Sequence, residues 1–93
     1  MRRVPKLTQR FFDRRRALGV DRGPAARAVA LAIGELVRAE LPAPGDFETL
    51  MPPVRTVHAH RVVARNLWIL YVFDDHSVTA VTLTANPPVP FDS

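Results

Sequence analysis

Apolar residues recur with a helical period near the start of the chain. Leu7, Phe11 and Leu18 fall on one face of a helix, and basic residues cover the rest of its surface. Thr8 is a suitable N-cap for the segment "QRFFDRRRALG", and Gly19 is suitable to end it. The pattern predicts a first helix, while residues 1–6 are expected to be irregular or a short edge strand.

A second helical stripe follows the segment "DRGP". Pro24 suits the first turn of a helix, with Asp21 or Gly23 near its cap. The helix is predicted to run from residue 25 to about residue 40, with an apolar stripe at 3.6-residue spacing. Its members are Ala26, Val29, Ile33, Leu36, Val37 and Leu41. Two consecutive helices with a short link predict a helical hairpin.

The apolar period changes to two in the second half of the chain. The segment "LPAPGDFETLMPP" has four prolines and a glycine, which predict a loop. Three strands are predicted after it: "RTVHAHRVV", "LWILYVFD", which is apolar on both faces, and "SVTAVTLTA". The expected fold class is α+β, with an N-terminal helical hairpin packed on an antiparallel three- to four-stranded meander.

The composition limits the classes of protein to consider. With 47% hydrophobic and 24% charged residues, the 93-residue chain resembles a globular domain, so one domain over residues 1–93 is expected. Cysteine is absent, which excludes disulfides and thiolate chemistry. No segment has the roughly 20 apolar residues of a membrane span or the features of a signal peptide. A cytoplasmic protein is therefore expected, and no cofactor is expected because no cofactor motif is present.

The charge is unevenly distributed. Residues 1–38 hold ten Lys or Arg and three acids, net +7, whereas residues 39–93 hold three Arg and six acids, net −3. A basic half suits nucleic acid or an acidic protein segment. The alternative interpretation is that these arginines are simply solvated. On the first helix, Arg14, Arg15 and Arg16 could bind RNA phosphates, meet an acidic partner or face solvent.

Four stretches that cover most of the chain follow a pattern known from one group of small bacterial proteins. They are a basic, aromatic first helix "KLTQRFFDRRRALG", a Leu-Pro-x-Pro loop with a following aromatic "LPAPGDFETLMP", a central strand and turn "NLWILYVFDD", and a last strand and tail "SVTAVTLTANPPVPF". In these stretches and their order the chain resembles the RelE/ParE superfamily of bacterial toxins, in particular its YafQ-like branch. The resemblance implies the toxin of a type II toxin–antitoxin pair, neutralised by a cognate antitoxin that wraps its surface. RelE-like members cut mRNA on the ribosome, whereas ParE-like members act on DNA gyrase.

The chain departs from the YafQ-like pattern where that branch has its acid and base residues. The branch has a histidine in the loop before the first meander strand, a histidine shortly before the tryptophan, an acid directly before it and a histidine in the last strand. The residues here are Leu50 and Met51, then Val62, Val63 and Ala64, then Leu67, and finally Ala85 and Asn86. None of them can transfer a proton at neutral pH. Trp68 is kept, but a tryptophan on a central strand is more often a core residue.

The segment "HAHRVVARNLW" holds the remaining candidates for chemistry. Cleavage of RNA by its own 2′-hydroxyl needs a base, an acid and a cation beside the phosphate. His58 or His60 could be the base, and Arg61 or Arg65 could bind the phosphate. On a strand the two histidines point to the same side, about 7 Å apart.

Two other interpretations of the histidines stay open. They could lie on the exposed face of a strand whose other face, with Val57, Ala59 and Val63, is core. They could also bind a metal, but two ligands are too few and the acidic turn after the central strand is distant. No metal site is therefore expected.

Three hypotheses about function follow. The first is a ribosome-dependent mRNA endoribonuclease, and the second is a non-nuclease toxin that binds DNA gyrase, which the missing acid and base residues favour. The third is a small non-toxic binding protein of the same shape.

Overall fold

The computed structural model describes residues 2–52, 55–63 and 65–90. Within these ranges the fold is α+β, as predicted from the sequence. The helices and strands are β1 (Val4–Leu7), α1 (Gln9–Ala17), α2 (Gly23–Arg38), β2 (Phe47–Met51), β3 (Arg55–Arg61), β4 (Trp68–Phe73) and β5 (Ser77–Thr84). Ala64, one of the positions where the chain departs from the YafQ-like pattern, and Phe91, the last residue of the resembling stretches, lie outside the described residues.

The strands form one mixed five-stranded sheet in the order β1-β5-β4-β3-β2. Strands β2 to β5 pair antiparallel with their neighbours in sequence, and β1 joins in parallel beside β5. Each helix makes its main contacts with the sheet, α1 with β5 and α2 with β5 and β1. The predicted helical hairpin on a three- to four-stranded meander is therefore not clearly matched. The sheet has five strands and is mixed, and each helix packs mainly on the sheet.

Strand β2 lies in the segment for which the sequence predicts a loop, because prolines flank the strand closely. Its alternation is nevertheless regular, since Thr49 and Met51 are buried while Glu48 and Leu50 are exposed. This alternation is the period of a strand with one covered face. A strand of five residues between prolines carries too little pattern to outweigh them.

Helix α1 is fixed by signals that the sequence displayed. The Thr8 hydroxyl accepts the N–H of Phe11 at 3.1 Å and donates to the carbonyl of Val81 at 2.6 Å, so the cap also attaches the helix to β5. Gly19 has φ 69°, and the N–H of Val20 donates to the carbonyl of Arg15 at 3.0 Å. This is a Schellman ending, in which glycine takes the left-handed conformation.

Two hydrophobic clusters cover the two faces of the sheet. The cluster under the helices joins buried residues of both helices to those of the sheet: Phe11, Val29, Ala32, Leu36, Val37, Val62, Leu67, Ile69, Tyr71, Val78, Ala80 and Leu83. The cluster on the opposite face contains Met51, Val57, Ala59, Leu70 and Val81. Strand β4 contributes to both, which confirms that it is apolar on both faces.

The C-terminal segment crosses the face that carries no helix. It leaves the end of β5, and Pro90 forms an isolated antiparallel bridge with Thr49 on β2. The Thr49 hydroxyl donates to the carbonyl of Val89 at 2.7 Å. The segment therefore encloses the second cluster from the open side. In the parts of the chain that the structure describes, no helix is long and apolar enough to cross a membrane.

The packing under the helices yields a test of the fold. Phe11 is fully buried in the first cluster, whereas its neighbour Phe12 is half-buried and packs beside Arg15. We expect Phe11→Ala to lower the free energy of unfolding by about 3–5 kcal/mol, because it leaves a cavity. The matched control Phe12→Ala should cost less than about 2 kcal/mol. Urea unfolding followed by circular dichroism measures both, and equal losses would contradict this packing.

Candidate functional site

His58 and His60 lie on the helix-facing side of β3. His60 is 8% exposed and His58 is half-buried, whereas Val63 is 71% exposed. The interpretation that placed these histidines on an exposed face is therefore wrong. It failed because both faces of β3 are covered, so alternation alone does not tell which face the helices cover.

His60 belongs to a buried polar network. Its Nδ1 lies 2.8 Å from Oδ1 of Asp46, and the Tyr71 hydroxyl donates to Oδ2 of the same carboxylate at 2.5 Å. On its other side, Nε2 of His60 lies 3.4 Å from Oε2 of Glu35 on α2, within ion-pair distance but without hydrogen-bond geometry. The network joins the loop before β2 to β3, β4 and α2.

A tight turn delivers Asp46 to this network. The N–H of Asp46 donates to the carbonyl of Ala43 at 2.9 Å, and Gly45 between them has φ 90°. Proline followed by glycine at the central positions is the signature of a type II turn. The carboxylate that leaves the turn is only 4% exposed.

The network changes the protonation of its members. Burial works against the charged imidazolium, but the hydrogen bond with Asp46 and the negative charges of Asp46 and Glu35 outweigh it, so the pKa of His60 is raised. Burial and the hydrogen bond to Asp46 also raise the pKa of Tyr71, which keeps its hydroxyl a neutral donor. The network thus favours the protonated form of His60, whose ring is buried and already interacts with Asp46 and Glu35.

His58 sits in an aromatic stack rather than in an open site. Its ring centroid lies 5.5 Å from that of Tyr71 and 5.2 Å from that of Phe73. The guanidinium of Arg3 lies 5.4 Å from the Phe73 centroid and continues the stack. His58 Nδ1 is buried and finds no hydrogen-bond partner among the described residues.

The structure does not bring the four predicted catalytic residues together. Arg61 is exposed on the face opposite the histidines, with its guanidinium 6.0 Å from the ring centroid of Trp68. Arg65 lies in the connection between β3 and β4, where its N–H donates to the carbonyl of Val62 at 3.1 Å. The histidines and Arg61 therefore face different sides of the sheet.

An open groove lies beside the end of β5 that β1 leaves unpaired, between α1 and the C-terminal segment, and we call it the sheet groove. It has a volume of about 510 Å³. Its lining joins α1, β2, β4, β5 and the C-terminal segment: Arg10, Arg14, Thr49, Leu50, Met51, Pro52, Leu70, Thr82, Leu83, Thr84, Asn86, Pro87, Pro88, Val89 and Pro90. The lining has two guanidinium groups and several hydroxyls, but no imidazole or carboxylate.

Only one of the three arginines predicted to bind RNA lines this groove. Arg14 lines it and donates from Nε to the carbonyl of Leu83 at 3.2 Å, beyond the stretch of β5 that β1 covers. Arg15 lies 5.2 Å from the Phe12 ring, and Arg16 is exposed elsewhere on α1. Arg10 was not singled out from the sequence, although it lies one helical turn before Arg14 and so shares its face.

Other residues of the site could not be predicted from the sequence. Asp46 could have been found from the Pro-Gly turn that precedes it, but nothing local pairs it with His60 and Tyr71, which come from distant strands. Across residues 2–52, 55–63 and 65–90, no group of three or more His, Cys, Asp or Glu is placed to hold a metal ion.

Comparisons with protein-family models, with curated proteins and with solved structures found no match to this chain.

The raised pKa of His60 makes stability depend on pH. Because the pKa of His60 is higher in the folded state, protonation of His60 stabilises the folded protein. This stabilisation is complete below the unfolded-state pKa of 6.5 and is lost as the pH rises through the folded-state pKa. We therefore expect the His60 contribution to the urea midpoint to fall as the pH rises from about 6.5 through the raised folded-state pKa.

His60→Asn should remove this part of the pH dependence, even if it lowers stability throughout. The exposed His76, changed to Asn, is the matched control and should retain it. Equal pH dependence in the wild type and in His60→Asn would contradict the assignment.

Proposed function

We propose that the chain is a RelE/ParE-like toxin of a type II toxin–antitoxin pair, and that it acts by binding its target through the sheet groove. The four resembling stretches support the family. The order of elements, two helices followed by an antiparallel meander, agrees with what the resemblance implies. The proposal includes a cognate antitoxin as partner and a cytoplasmic target.

One observation carries the choice of a binding mode. Leu50 and Met51 in the loop and Asn86 at the last strand fall where the YafQ-like branch has histidines, and all three line the sheet groove. Val62 and Leu67, which fall at its positions before the tryptophan, lie instead in the cluster under the helices. Asn86 is distant in sequence from Leu50 and Met51, so their convergence supports this groove as the working surface. Since its lining offers no imidazole or carboxylate, binding is better supported than acid–base cleavage. DNA gyrase, the target of ParE-like members, is the target we propose.

A ribosome-dependent mRNA endoribonuclease is the second candidate. Arg10 and Arg14 at one wall of the groove, with the hydroxyls of Thr82 and Thr84, could hold a phosphate backbone. In that case cleavage would depend on arginine and positioning rather than on the enclosed histidines. The same groove would then bind mRNA on the ribosome.

Expression in a bacterium without any partner tests the proposal. We expect growth arrest with intact mRNA and loss of plasmid supercoiling. Arg10→Glu should weaken target binding about tenfold or more and relieve the arrest, because it reverses a charge at the groove. The control Arg16→Glu changes the charge equally on the same helix outside the groove and should remain toxic.

His58→Gln separates the mechanisms. A binding toxin should keep its activity in this variant, provided that circular dichroism shows it folded. Rapid mRNA fragmentation that His58→Gln abolishes would overturn the binding mode in favour of histidine-dependent cleavage. Fragmentation lost only in Arg10→Glu would favour the second candidate, and the absence of any arrest would contradict a toxin.

A further inference from the structure

A second groove lies on the opposite side of the molecule, between β1 and α2, and we call it the edge groove. It also has a volume of about 510 Å³. Its lining is aliphatic at the floor and basic at the walls: Arg2, Arg3, Val4, Pro5, Ala30, Ile33, Gly34, Val37 and Arg38. Val4 is 60% exposed and presents apolar surface at the groove.

The arginines of the edge groove have no acidic partner within the described ranges. The ion pairs found there are those of His60 with Asp46 and Glu35, so no carboxylate compensates Arg2 or Arg38. Arg3 donates to the carbonyls of Asp74 and Ala39, which fixes its side chain without neutralising it. The groove therefore presents a positive field above an apolar floor, which is complementary to carboxylates around an apolar stripe.

The outer edge of β1 is poorly suited to pairing with another strand. The N–H groups of Val4 and Thr8 donate to carbonyls beside and on β5. The backbone polar groups of Arg3 and Pro5 therefore point away from β5, toward the outer edge. The N–H of Arg3 is already bonded to the carbonyl of Val37 at 3.2 Å, and Pro5 has no N–H. A partner must therefore bind mainly through side chains, as an amphipathic helix does in a groove.

The Arg38 guanidinium lies over Gly34 at one wall of the edge groove. The atoms nearest to a Cβ built at Gly34 are those of this guanidinium, the nearest at 3.2 Å. Glycine inside a helix is unfavourable compared with alanine, so a conformational preference does not explain it. Its missing side chain lets the Arg38 guanidinium lie close to α2 at the wall of the groove.

We infer that the edge groove binds an acidic amphipathic helix of a partner protein, with its apolar stripe on Val4, Ile33 and Val37 and its carboxylates on Arg2 and Arg38. A nucleic acid is less suitable, because the lining residues include no aromatic ring for a base to stack on. The inference does not depend on toxicity, so each can fail without the other.

A labelled model peptide tests the inference directly. The probe is a fluorescein-labelled helical peptide with leucines along one face and glutamates beside them, titrated with the full-length protein in fluorescence anisotropy. Arg2→Glu with Arg38→Glu should weaken binding about tenfold or more. The matched control, Arg22→Glu with Arg27→Glu, makes the same change in net charge at the other end of α2 and should bind nearly as the wild type does.

Two further variants test the apolar floor. Gly34→Leu should fill the groove and reduce peptide binding while leaving the urea midpoint unchanged or higher, since leucine favours a helix. Val4→Ser should weaken binding moderately, because it removes exposed apolar surface. Methyl shifts in nuclear magnetic resonance spectra should be confined to Val4, Ile33 and Val37.

Three outcomes would overturn the inference. The first is equal loss of binding in both double variants, which indicates unspecific charge attraction. The second is a single-stranded RNA oligonucleotide that displaces the peptide and shifts the same methyl groups, which indicates a nucleic-acid surface. The third is full peptide binding by Gly34→Leu, which places the peptide elsewhere.

Discussion

The buried carboxylate of Asp46 is the constraint on which the arrangement of the polar residues depends. A carboxylate that is 4% exposed is costly to leave without hydrogen bonds, and it receives them from His60 and Tyr71. Both partners must therefore point to the helix side of the sheet. This requirement places His60 on the helix side of β3, and because side chains alternate along a strand, His58 lies there as well. Their position follows from satisfying one buried acid rather than from catalysis.

The same constraint decides what chemistry remains at the surface. His60 and Tyr71 are enclosed, and His58 is stacked between aromatic rings, so none of them reaches the sheet groove. The groove is left with guanidinium groups, hydroxyls, an amide, prolines and apolar side chains. Such a lining can bind anions by charge and a protein surface by shape complementarity, but it has no group that exchanges a proton near neutral pH.

Much of the fold could be predicted where signals are local. The Thr8 cap, the glycine ending of α1, the apolar stripe of α2 and the doubly covered strand β4 follow from residues close in sequence. The parallel position of β1 could not be predicted, because it depends on pairing with β5 at the other end of the chain. The side of the sheet on which the histidines lie could not be predicted either, since both faces of β3 are covered and the deciding partners, Asp46 and Tyr71, come from other elements. Local patterns determine elements, whereas sites depend on tertiary pairing.

The two grooves divide the basic charge of the chain between two different kinds of surface. The sheet groove combines Arg10 and Arg14 with hydroxyls, an amide, prolines and apolar side chains, while the edge groove combines Arg2 and Arg38 with aliphatic side chains alone. Hydroxyls beside guanidinium groups add hydrogen-bonding groups for a charged target, whereas aliphatic residues between guanidinium groups suit a polypeptide with an apolar stripe. Because the grooves share no residue, a partner in the edge groove would not compete for contacts in the sheet groove. Any inhibition by such a partner would have to act through α1 or β5, or through a further segment that reaches the other face.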